Sequence, residues 1–111
     1  MAVITYHKLI RDNIPKIIRA AGAKPTVRKL AEAEFEEALL AKLGEETAEV
    51  QATVTSHDRL KELADVLEVV KALADLNGTT MDQLEVYRAN RATERGAFRK
   101  RLFLITVEEK G

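Results

Sequence analysis

Five carboxylates stand in two spaced groups, Glu45, Glu46 and Glu49 in KLGEETAEV and Glu62 and Asp65 in LKELADVLEVV. On a helical wheel Glu45, Glu49 and Glu46 fall at roughly 0°, 40° and 100°, so they share one flank. The apolar residues Leu39, Leu43, Val50 and Val54 cluster at roughly 120° to 180°, which sets the acidic flank against the buried face. In the second stretch, with Leu60 as zero, an apolar arc from Val69 to Leu67 covers roughly 180° to 340°. Glu62 falls at about 200°, inside that arc, and Asp65 at about 140°, on its edge. A carboxylate taken out of water unpaired costs on the order of several kcal/mol, so each needs a cation, a basic partner or a proton. Five of them together ask for more than one ordinary ion pair.

Acidic helix faces are also common as plain solvated surface, because Glu is a good helix former. That reading suits Glu45, Glu46 and Glu49 taken alone. Glu62 and Asp65, set at the core side of a helix that can fold back antiparallel, turn the balance toward a metal site. The chain has no cysteine and two histidines, and oxygen donors favour a hard ion, Mg²⁺ or Mn²⁺, over Zn²⁺. His7 and His57 lack any paired ligand or nucleophile pattern and carry no chemical role in this reading. Mg²⁺ in proteins works chiefly with phosphates.

The elements that position these groups follow from periodicity. Residues 2–10, AVITYHKLI, suit a short extended segment, and a brief helix is expected near Asn13 to Ala21, with Pro15 in its first turn and Gly22 at its end. TVRKL, 26–30, alternates like a strand. From Glu32 to about Val54 the period is helical, interrupted only by Gly44. Gly44 either lets a backbone or ligand approach closely or is simply tolerated at about 1 kcal/mol. Ser56 is the expected N-cap of a helix from about Asp58 to Leu76, stopped by Asn77 and Gly78. Thr80 caps a further helix to about Arg95, before Gly96, with Asn90 a polar residue within it. The stretch RLFLITVEE alternates as a strand, to pair with TVRKL or with a second subunit. Tyr6, Phe35, Tyr87 and Phe98 are expected in the core.

At 111 residues the chain is one domain, 1–111, with a core modest enough for a dimer interface to help it. It carries 18 basic and 18 acidic residues, so no global field for nucleic acid or membrane arises. The charges are segregated, however. Residues 32–49 hold seven acids against Lys42, net −6, and residues 88–101 hold six bases against Glu94, net +5. No apolar run approaches the roughly 20 residues of a membrane span, and the first residues lack a signal-peptide pattern, so a cytoplasmic protein is expected.

The arrangement of Glu45, Glu46 and Glu49 on one helix and Glu62 and Asp65 on the next resembles the signature of the all-α nucleoside triphosphate pyrophosphatases. That superfamily includes MazG-like proteins, dimeric dUTPases and phosphoribosyl-ATP pyrophosphohydrolases. YHKLIRDNIPKII, KPTVRKL, ELADVLEVVKALA and ERGAFRKRLFLITVEE extend the likeness to the short MazG-like house-cleaning branch along nearly the whole chain. The resemblance implies a mainly α fold, an antiparallel helical bundle with short accessory β strands, associating as a homodimer or higher homo-oligomer. It implies that the five acids bind Mg²⁺, with Mn²⁺ a substitute, and that the α–β phosphate bond of a nucleotide is cleaved to a monophosphate and pyrophosphate. Glu46 and Glu49 are the expected catalytic acids, with Glu46, nearest the apolar border, the choice for the base.

A triphosphate also needs cationic donors on oxygens a metal does not reach. The candidates are Lys8 and Arg11 in the KLIRD element, Lys42 on the acidic flank, and Arg91, Arg95 and Lys100 around Gly96. Each also suits ordinary surface charge. Rival readings change the substrate to phosphoribosyl-ATP or dUTP, or make the chain a non-catalytic nucleotide- or metal-binding dimer acting as sensor or adaptor. A nucleic-acid module is disfavoured by zero net charge and a short basic segment.

Overall fold

A computed structural model describes residues 2–111. Its order is α1 (Ile14–Ala20), α2 (Glu32–Ala52), α3 (Ser56–Leu76) and α4 (Met81–Arg95). The fold is mainly α, as the periodicities require.

Helices α2 and α3 are the two long elements and pack side by side. The turn between them reverses the chain within residues 53–55, and its hydrogen bonds show how. The Thr53 hydroxyl donates to the Val50 carbonyl at 2.6 Å, which closes α2. Arg59 then reaches back from α3, its Nε donating to Thr53 Oγ1 and its Nη2 to the Thr53 carbonyl, both at 2.9 Å. Thr55 Oγ1 accepts from the Asp58 backbone N–H at 3.1 Å. The N-cap is therefore Thr55, and Ser56, expected in that role, is the first residue of the helix. Thr55 wins because its extended backbone lets its oxygen face the free N–H two residues inside the helix.

At the far end of α3 the Asn77 side chain donates to the Leu73 carbonyl at 2.8 Å, and Gly78 adopts φ 76°. This left-handed conformation is the one glycine takes without steric cost, and it turns the chain toward α4. Thr80 Oγ1 caps α4 by accepting from the Gln83 N–H at 3.2 Å. Helix α4 touches α3 alone among the helices, whereas the backbone of α1 comes close to none of them.

The core is small. Leu39 on α2 and Val69 and Ala74 on α3 are the buried hydrophobics among the described residues, with Leu39 3% exposed. The expectation of core aromatics is corrected: Phe35 is half-buried, but Tyr6, Tyr87 and Phe98 are exposed.

The accessory strands are corrected too. Residues 2–10, 26–30 and 102–107 form no strand among the described residues. Alternation of apolar side chains supplies a face for a sheet, but a strand exists only where a neighbour completes the hydrogen-bond ladder. Here no segment lies alongside, and residues 102–107 are wholly exposed.

Candidate metal centre

The short turn holds the middle of α2 against the first half of α3, and this brings all five acids to one place. Glu45, Glu46, Glu49, Glu62 and Asp65 line a single open cleft of about 520 Å³, together with Lys8, Lys42 and Ala48. Within it Glu46, Glu62 and Asp65 are half-buried and converge, each presenting an oxygen within 4.8 Å of the others.

Electrostatics follow from this crowding. The Glu62 carboxyl is pushed above its ordinary value, first by partial desolvation, then by the charges of Asp65, Glu49 and Glu46. Two basic side chains offset the remaining charge. Lys42, only 19% exposed, places Nζ 3.3 Å from Glu45 and 3.5 Å from Glu46, one helical turn away on α2. Arg11, from the segment before α1, donates through Nη2 to Asp65 Oδ1 at 2.7 Å. Both partners of that pair are substantially exposed, and such pairs stabilise by no more than about 1 kcal/mol, so Arg11 readily exchanges Asp65 for another anion.

The donor set suits a hard divalent cation. It is all oxygen, and octahedral Mg²⁺ with bonds near 2.1 Å holds its ligand oxygens no more than about 4.2 Å apart, a spacing compatible with three oxygens lying within 4.8 Å of one another. Glu45 and Glu49 line the cleft outside the convergent group.

The basic candidates divide. Lys8 and Lys42 line the cleft, and Arg11 touches it through Asp65. Arg91, Arg95 and Lys100 do not line it, because α4 leans on α3 alone and residues after Gly96 turn away. Sequence reasoning passed over Tyr6 as a site residue. Its exposed ring lies 5.5 Å beneath Lys8 Nζ, a cation–π contact that steadies a lysine of the cleft. His7, with φ 45°, turns the backbone between them, so simple alternation along the sequence did not announce this contact. Ala48, which also lines the cleft, was likewise unforeseen.

No family model matches the chain, and no solved structure matches it. Among curated proteins, an uncharacterized protein of Mycolicibacterium smegmatis is 50% identical over 48 residues. That match takes in 43% of this chain and 49% of the relative, so the chain spans about half the length of the curated protein it resembles.

Proposed function

We propose that the chain is a Mg²⁺-dependent nucleoside triphosphate pyrophosphohydrolase acting in the cytoplasm on non-canonical nucleotides. The supporting observation is the convergence of five acids from α2 and α3 on one cleft that also holds Lys8 and Lys42. An anionic floor with cations at its rim is the charge pattern that a metal-bound polyphosphate requires.

Glu46, Glu62 and Asp65 would hold the ion, with Glu45 beside them. A bound Mg²⁺ supplies neutralisation of phosphate charge and a water of lowered pKa. Glu49 lines the cleft outside the convergent group, which leaves its carboxylate to take the proton of the attacking water. Glu46, the other catalytic candidate, would be taken up as a ligand of the ion. Oxygen from that water bonds to one phosphorus of the α–β bridge, the bridging bond breaks, and the products are a monophosphate and pyrophosphate. Lys8, steadied by Tyr6 and in no ion pair among the described residues, meets phosphate oxygens, and Arg11 and Lys42 exchange their carboxylate partners for the substrate.

The test is a panel of nucleoside triphosphates, dUTP and phosphoribosyl-ATP, with and without Mg²⁺, following monophosphate and pyrophosphate separately. Mg²⁺-dependent release of both is expected, and is lost in Asp65→Asn and Glu49→Gln proteins that keep the parent's helical content. Full activity in either variant removes the five-acid site. Mg²⁺ binding with no turnover across the panel replaces the enzyme with a nucleotide- or metal-binding protein.

A further inference from the structure

The described residues expose 10469 Å². A folded monomer of 12.4 kDa exposes about 6,100 Å², so the excess is roughly 4,300 Å². The radius of gyration says the same: it is 19.1 Å, against about 13 Å for a compact chain of this length.

Two apolar surfaces contribute to the excess. On α3 the residues Val66, Val69, Leu73 and Leu76 are buried or half-buried, but Leu60, Leu63 and Leu67 form a second stripe at three- and four-residue spacing that is exposed. After α4 the chain turns at Gly96, with φ 86°, and at residues 98–101, where the Arg101 N–H donates to the Phe98 carbonyl at 3.2 Å. It then runs out as an extended segment. Phe98 is 95% exposed and Phe103 89%, and Leu102, Leu104 and Ile105 are nearly as bare.

The charges are unmatched in the same way. Among the described residues Arg91, Arg95, Arg99, Lys100 and Arg101 form no ion pair, and neither do Glu32, Glu36, Glu37 and Glu49. A segment of net +5 and one of net −6 thus remain apart within one chain. Leu60, Leu63 and Leu67 interleave with Glu62 and Asp65, so the bare stripe and the acidic cleft stand at one level of the helix pair.

We propose that residues 97–107 form an exchanged arm that lies along α2 and α3 of a second copy of this chain, covering its Leu60–Leu63–Leu67 stripe and setting Arg99, Lys100 and Arg101 against its acids. Each chain offers one arm and one receiving face, and where two chains exchange arms mutually the contact closes as a twofold dimer. A standard interface removes about 800 Å² from each partner, well within the excess this chain exposes. The inference is independent of the cleft's chemistry.

The chain has no cysteine, so introduced ones report cleanly. Sedimentation equilibrium of the parent chain is expected to give twice 12.4 kDa. Leu63→Cys and Phe103→Cys chains, refolded together and oxidised, are expected to give a disulfide-linked pair that neither chain gives alone. A monomeric parent overturns the proposal. A dimer in which no disulfide joins positions 63 and 103 overturns the arm as its interface. A chain carrying both substitutions that oxidises at high dilution to a closed monomer shows the arm folding on its own helices, and overturns exchange. Both positions are exposed, so neither substitution threatens the core.

Discussion

Replacing Gly44 with alanine separates the two readings of the one interruption in α2. The helix continues through Gly44 without a break, and a Cβ built there meets no heavy atom within 4 Å. The substitution therefore adds no clash, and it removes the extra backbone freedom that glycine brings to the unfolded chain. Gly in a helix interior costs about 1 kcal/mol relative to Ala, so Gly44→Ala is expected to stabilise by that amount. For a chain of 111 residues this is a rise in Tm of about 4 °C. On the α2 wheel Gly44 stands at roughly 260°, well away from the acids between 0° and 100°, so Mg²⁺ affinity and turnover should not change. Thermal unfolding followed by far-ultraviolet circular dichroism supplies the first readout. It must be made at fixed protein concentration, because association would move Tm by mass action. An unchanged or lowered Tm would mean that something occupies the space over Gly44 in solution. A raised Tm with lost turnover would mean that a ligand needs the bare backbone there, and would refute the assignment of Gly44 as merely tolerated.

Two further outcomes follow from the core and the cleft. The folded chain holds the Glu62 proton more tightly than the unfolded one, so its contribution to stability is complete below the usual carboxylate range and fades as pH rises through the folded value. Without Mg²⁺, Glu62→Gln should flatten the fall in stability above about pH 4.5 and leave the variant more stable than the parent near neutrality, read by urea unfolding across pH. Glu34 and Glu85, held low by Arg28 and Arg88, titrate alike in both proteins and cancel; a variant with the same slope as its parent defeats this account. Leu39→Ala, at the most buried side chain, should cost about 2–5 kcal/mol. A loss below about 1 kcal/mol in the same assay would show that the α2–α3 contact is not the main core.

The helices were legible because each carries its signals locally. Pro15, Thr80, Asn77 and Gly78 all mark element ends through contacts within one turn, and the five acids were placed on shared flanks by angle alone. The flanks meet because a turn of 53–55 leaves α3 no course except back along α2. What lay beyond reach depended on distant neighbours. TVRKL and RLFLITVEE have the alternation of strands, but whether a ladder forms is decided by what lies beside them. Phe98 and Tyr87 are apolar enough for a core that this chain never wraps around them. The Arg11–Asp65 pair joins residues far apart in sequence, and no local pattern announces it. The choice of Thr55 over Ser56 as cap turned on one backbone angle, which composition does not encode.

All five acids lie between residues 45 and 65, on a helical hairpin whose closing turn is fastened by Arg59. Loop closure across so few residues is entropically cheap, so the hairpin forms at little cost in chain entropy. The five acids are accordingly brought together by a helix pair whose packing needs neither α4 nor the segment after it. Sequence on either side of the hairpin is then free to diverge in what it binds without disturbing how the acids are brought together.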